Sequence, residues 1–427
     1  MTIQPLRFAM VTTFYPPFNF GGDGIFVQRL ARALVARGHS VDVIHDTDAY
    51  RMLSGHAPQI PFEDDGVRVH RLRSPHKTLS SLGVQQLGRP TTHRARLEEL
   101  LTGRYDVINY HNISLVGGPG LWPIGTGIKI HTAHEYWLVC PTHLLWKQNR
   151  EICENRQCLR CTLSYKRPPQ YWRMTDKMHR DAEHVDMFLM LAKSAEEHHR
   201  RNGFRRPMTT IPSFLPDAAT KLKSAGTGPR RRPYFLFVGR LEEIKGLQDV
   251  IPHFDDDLPA DLLIAGTGEY ENTLREQAKG RLNVHFLGRK SEDDLRHLYR
   301  DALATVIPSR WLEVFPLVTM ESFREGTPII ARDVGAFPEV VRDTGGGYVF
   351  HTGEDLRSIL HRMANDPAHA AELGRKGFTG YARNWREDVA LSAYFRVIEE
   401  AAAKRGMTDL LAKLNGGKSD RDQAAPA

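Results

Sequence analysis

What most constrains this chain is that it spells one alternation twice. Short apolar runs, many ending in Gly- or Pro-bearing turns, alternate with amphipathic stretches of helical period. The first series is Phe8–Thr13, Ser40–His45, Val67–Leu72, Asp106–Tyr110, Ile128–Thr132, Met187–Leu191 and Thr209–Ile211. After an aperiodic stretch rich in Lys, Arg, Gly and Pro, the series resumes at Tyr234–Val238, Asp261–Ala265, Val284–Leu287, Leu303–Ile307 and Pro328–Ala331. Strands that alternate with helices need crossover connections, so each series predicts an α/β unit around a parallel sheet. Phe26, Leu30 and Leu34 recur every four residues within Ile25–Arg37, and Gly38 stands where that helix would close.

The length of 427 residues exceeds what one hydrophobic core usually supports, which agrees with two units. The expected layout is an N-terminal domain over 1–215 with a Cys-bearing insertion at about 138–170, a linker over 216–232 and a second domain over 233–380. A terminal helix is expected over 381–404, crossing back to the first domain, and a disordered tail over 415–427. No run of about 18 apolar residues occurs, so no membrane span is expected. Arg7–Phe14 reads as a strand rather than a signal region, so no export is expected and a cytoplasmic location is. A net charge of +7 admits nucleic acid, an anionic membrane face or a phosphate-bearing ligand as partner, and charge alone does not choose.

Two stretches carry chemistry. Tyr234–Val238 runs into Gly239-Arg240 and then Lys245-Gly246, which sets two cations just after a strand, where a departing diphosphate could be stabilised. Leu303–Ile307 runs into Pro308-Ser-Arg-Trp-Leu-Glu313 and on to Glu321, two carboxylates eight positions apart. Pro316 suits the first turn of a helix whose free N–H groups, from Leu317 through Val318 to Thr319, would face an anion. Taken singly, Glu313 as a surface loop residue and Glu321 as a solvated helix residue would serve equally well.

Together these motifs resemble the retaining glycosyltransferases of family 4, which have the GT-B fold of two facing Rossmann-like domains with a cleft between them. The resemblance extends to Gly21-Gly22 after the first strand, His134-Glu135 after Ile128–Thr132, Pro212-Ser213-Phe214, Gly266-Thr-Gly268 and Gly335 to Glu339. It implies a nucleoside-diphosphate sugar as donor and a saccharide, lipid or small molecule as acceptor, in polysaccharide or glycolipid synthesis. Arg240 and Lys245 would bind the diphosphate, Glu313 the sugar hydroxyls and Glu321 the ribose. Backbone at Phe315, Pro316, Leu317, Val318 and Thr319 would hold sugar and phosphate, and that near Arg289 the base. Gly21 and Gly22, with Gly239, would allow close approach, and His134 would meet the sugar near the reacting carbon. Val314 and Pro316 stand where that family commonly has glycines, Glu135 replaces a frequent Asp and Ser213 a frequent Asn. No cofactor is implied for catalysis.

Cys140, Cys153, Cys158 and Cys161 fall in one short segment, a candidate set for a structural zinc ion, with free thiols as the alternative. Asp46-Thr-Asp48 resembles the metal-binding D-x-D of the other large glycosyltransferase fold and is read here as loop or capping. A Rossmann oxidoreductase using NAD fares poorly, because Gly21-Gly22-Asp23-Gly24 lacks the full G-x-G-x-x-G spacing. A nucleic-acid binder with a zinc-held Cys loop would leave the two-carboxylate stretch unexplained. The basic residues at Arg68, Arg71 and Arg73 fit instead an anionic acceptor or peripheral contact with the inner membrane face.

Overall fold

The computed structural model describes residues 4–55, 58, 64–103, 105–216, 232–315 and 317–416. Two compact units are present, one of residues 1–211 and 391–427, the other of 212–390. Most of the expected linker and the last residues of the expected tail lie outside the described residues, as does Pro316.

In the first unit the strands are β1 (Arg7–Thr12), β2 (Ser40–Asp46), β3 (Val67–Leu72), β4 (Val107–Tyr110), β5 (Ile128–Ala133), a two-stranded hairpin β6 (Trp146–Lys147) and β7 (Glu151–Ile152), β8 (Met187–Met190) and β9 (Met208–Thr210). Seven of them form one sheet in the order β3-β2-β1-β4-β5-β8-β9. Every pairing in it is parallel, with β1 flanked by β2 and β4. The helix Gly22–Val35 turns Val27, Leu30, Ala31 and Leu34 inward. It begins three residues earlier than its apolar period suggests, because the Asn19 amide braces Gly21 and starts the turn. Trp122 is fully buried among the rings of His131, Trp137 and Phe188.

The second unit holds β10 (Tyr234–Val238), β11 (Asp261–Ala265), β12 (Val284–Gly288), β13 (Ala304–Ile307), β14 (Ile329–Arg332) and β15 (Gly347–Phe350). Their order is β12-β11-β10-β13-β14-β15, again with the unit's first strand at the centre. The edge strand β15 is absent from the sequence expectation, since its run carries Gly346-Gly347 and only four residues. The terminal helix differs as well. One helix spans Pro367–Asn384, a second Glu387–Lys404 and a third Thr408–Asn415. The break at Trp385 follows from packing, because that indole stacks on Phe323 at 5.9 Å and stays with the second unit.

From Leu391 on, the chain belongs to the first unit, as expected of a helix that crosses back. Tyr394 stacks on Phe8 and receives a hydrogen bond from Asn109, while Arg405 donates to the carbonyls of Thr126 and Gly127. Lys413 closes the run on Asp106 at 2.8 Å.

Candidate active site

In an open parallel sheet the crevice for ligands opens where successive crossovers leave in opposite directions, at the carboxyl ends of the strands. In the second unit that point lies between β10 and β13. Both stretches singled out in the sequence leave the sheet there, Gly239 to Gly246 after β10 and Pro308 to Phe315 after β13.

Backbone contacts hold these loops together. Gly246 has φ +75°, and a Cβ there would lie 2.1 Å from the Pro308 carbonyl oxygen, so only glycine fits without displacement. The Arg310 amide donates to the Ile244 carbonyl at 2.9 Å. Asp249 then takes charge-assisted hydrogen bonds from Arg310 (Nε at 2.8 Å) and Arg332 (Nη2 at 2.6 Å), and Arg332 also donates to the Pro308 carbonyl.

At the centre sits Glu313, 8% exposed. Its Oε1 receives Lys245 Nζ at 2.6 Å, Ser309 Oγ at 2.8 Å and Trp311 Nε1 at 3.1 Å. Among the described residues, no hydrogen bond to Oε2 accompanies these three. Burial alone would push this carboxyl up, but the Lys245 charge and the three donors outweigh it and hold it below its ordinary value. Glu313 is therefore ionised at neutral pH, an acceptor with one oxygen anchored. Lys245 lies 5.5 Å from the Trp311 ring centre, and an ammonium has three protons, so donors remain for a ligand.

Gly335 backs the same residue. At φ +60° its Cβ would stand 2.7 Å from the Glu313 carbonyl oxygen and 2.8 Å from its nitrogen. Gly335→Ala is expected to displace Glu313 and cost about 1–3 kcal/mol, with a matching fall in Tm and a loss of turnover at unchanged secondary structure.

Glu321 lies on the helix Leu317–Arg324 and accepts from the buried Tyr299 hydroxyl at 3.0 Å. Thr319, fully buried on the same helix, has an Oγ1 without a hydrogen-bond partner. Phe315 packs edge-on against Trp385. Arg240 is 63% exposed and pairs with Glu242, and Arg289 is exposed just past β12. The structure thus brings Lys245 and Glu313 into contact and leaves the Arg240 side chain reaching outward. Ser309, Trp311 and Tyr299 were not assigned roles in the sequence. The first two stand inside the motif, whereas nothing in the spacing of Tyr299 marks it as Glu321's partner.

In the first unit Gly21 and Gly22 open the helix that follows β1, and His134 follows β5. His134 Nε2 lies 3.0 Å from His111 Nδ1, and Phe26 meets its ring edge-on at 5.0 Å. Burial lowers His134 to about 4 and His111 well below its usual value, so both are neutral imidazoles and one shares its ring proton with the other. Neighbouring Glu135 pairs with His143 at 2.7 Å and lines a pocket of about 380 Å³ with Asn112, Leu82, Gln85, Leu115 and Arg167.

All four cysteines are free. Cys153 lies within electrostatic reach of Cys140, Cys158 and Cys161, while among the described residues the group of His, Cys, Asp or Glu atoms lying within 4.8 Å of one another is Asp46, Asp48 and His93. Cys140 contacts Thr142, and Cys161 accepts from the Gln148 amide. No helix among the described residues is long and apolar enough to cross a membrane.

Residues 21–213 match the family model "Glycosyl transferase 4-like domain" and residues 220–379 match "Glycosyl transferases group 1". The chain is 25% identical over 425 residues to a D-inositol 3-phosphate glycosyltransferase of Thermobifida fusca, covering 92% of this chain and 94% of that protein. Among solved structures it is similar to sucrose-phosphate synthase from Thermosynechococcus elongatus, with TM-score 0.68 and 21% identity over 93% of this chain and all of that one. The Anabaena protein HepE, solved with UDP and glucose, gives TM-score 0.65 at 15% identity over 94% of this chain and 99% of that one. With both units matched in order and both sheets wound as that fold requires, the chain belongs to the glycosyltransferases of family 4 and has the GT-B fold.

Proposed function

We propose that this enzyme transfers a sugar from a nucleoside diphosphate to an acceptor with retention of anomeric configuration. The observation that carries the reading is the ionised, half-satisfied Glu313 held by Lys245 at the switch point of the second sheet. Glu313 Oε2 would accept hydrogen bonds from the sugar's hydroxyls. Lys245 would keep one proton on Glu313 and give others to the diphosphate, joined by Arg240, and each charge-assisted contact would strengthen as the leaving group gains charge. Glu321, oriented by Tyr299, would bind the ribose, and the N–H groups at Leu317, Val318 and Thr319 would meet phosphate or sugar oxygens. Pro316 has no N–H, so its neighbours would supply those contacts.

An ionised Glu313 is not a general acid. The departing phosphate would take the acceptor's proton as the acceptor attacks on the same face, through an oxocarbenium-like transition state. Neutral His134, held by His111, would lie near the reacting carbon without adding positive charge to it. The acceptor would occupy the pocket beside Glu135, whose lining is mainly apolar and carries Arg167.

The test is isothermal titration with UDP, GDP, ADP and NAD. One nucleoside diphosphate is expected to bind preferentially, and Arg240→Ala and Glu321→Ala are each expected to weaken it by about 10- to 100-fold. Tight NAD binding with no binding of any diphosphate would overturn the reading. Hydrolysis-free NMR of the product anomer decides retention.

A further inference from the structure

Asp46 ends β2 and caps the helix Thr47–Ser54, accepting the Asp48 amide through Oδ1 at 2.7 Å. That explains one oxygen only. Asp46 Oδ2 is buried without a hydrogen-bond partner, and so is Asp48 Oδ1. Both residues are fully buried. The other Asp48 oxygen accepts the Ser74 amide at 2.8 Å and faces His93 Nε2 at 3.1 Å. Each of the three side chains offers a ligand atom, and these atoms lie within 4.8 Å of one another.

We infer that Asp46, Asp48 and His93 bind one divalent cation of the Mn²⁺ class at the carboxyl edge of the first unit's sheet, a site distinct from the donor-binding residues. Two buried carboxylate oxygens without donors are costly in an apolar interior, and a single cation satisfies both at once. Two carboxylates and an imidazole form a mixed oxygen and nitrogen set that suits Mn²⁺, and zinc after it, better than thiol-seeking ions. His93 Nε2 lies 3.1 Å from Asp48 Oδ2, so the imidazole already stands beside the carboxylate whose other oxygen lacks a partner. The ion would tie the end of β2 and the helix that follows it to the loop before the helix Arg94–Leu101, which the pairing of β2 with β3 does not reach.

The experiment uses the full chain after chelation, titrated with Mn²⁺ alone so that the thiols do not compete. Wild type is expected to bind one Mn²⁺ per chain, detected by loss of the free-ion electron paramagnetic resonance signal, and to gain about 5–10 °C in Tm at a hundredfold excess over Kd. His93→Gln, which keeps the reach to Asp48, is expected to weaken binding at least tenfold, and Asp48→Asn to abolish it. Should Asp48→Asn not fold, wild type and His93→Gln still decide. No binding by wild type up to millimolar Mn²⁺ would overturn the proposal and leave a shared proton or water as the partner of the orphaned oxygens. Unchanged binding in His93→Gln would overturn it too. Nucleotide titration of the same samples stands apart, so failure of the donor-site reading is read separately.

Discussion

Lys245→Met is expected to lower kcat by about 100- to 1000-fold, because the variant loses a preorganised charge at the point where the leaving diphosphate becomes more negative. It should also destabilise the second unit. Glu313 is buried, and removing its counter-charge leaves a carboxylate with two neutral donors, a change of about 3 kcal/mol for a broken buried pair. The two effects separate in the double variant Lys245→Met/Glu313→Gln. A neutral amide no longer needs the ammonium, so Tm should recover most of the loss while kcat stays low. Steady-state kinetics and thermal melts on the three variants check this. A Lys245→Met enzyme that turns over within a few-fold of wild type would remove Lys245 from the chemistry and leave it a structural ion pair.

The second large effect is on stability against acid. His45, His131 and His199 are buried and their pKa values are lowered to about 3, 3 and 4 by desolvation, and His111 is driven well down by the same cause. Each has at least one ring nitrogen without a partner, so an added proton would find no acceptor. Because the folded pKa lies below the unfolded value of 6.5, the unfolded chain takes up protons first as pH falls. The contribution to stability is complete above about pH 6.5 and is lost downward through the folded values, by about 1.4 kcal/mol per pH unit for each ring. Four rings in one unit should lower Tm steeply between pH 6.5 and 5. Trp122, Trp137, Trp146 and Trp172 belong to that unit, so their fluorescence reports it. A Tm that stays flat down to pH 5 would show that these imidazoles are hydrated or partnered in solution.

How much of this was legible beforehand depends on which force fixed each feature. Buried parallel strands are written as apolar runs, and Val67–Leu72, Tyr234–Val238 and Asp261–Ala265 fall where those runs place them. The loops at Gly239 and Pro308 were legible because catalytic residue types after a strand are unusual. Their joint was not: Gly246 against Pro308, and Asp249 between Arg310 and Arg332, join residues about sixty or more apart, and no local spacing encodes that. The same holds for the thiols. Their proximity in sequence suggested a ligand set, and the folded segment keeps the thiols within electrostatic reach of one another while Cys140 contacts Thr142 and Cys161 the Gln148 amide. The acidic pair at Asp46 reads from sequence as a cap, and only the burial of the unused oxygens reveals more.

The return of the chain at Leu391 to the first unit sets an order of events during synthesis. Asn109, Asp106 and the carbonyls of Thr126 and Gly127 leave the ribosome early, yet Tyr394, Lys413 and Arg405 emerge only after the whole second unit. The second unit, contiguous from 212 to 390, can fold while its predecessor still waits. The unit begun first is therefore the unit completed second, and until the segment from Leu391 emerges the nascent enzyme carries an uncovered seam along its opening sheet.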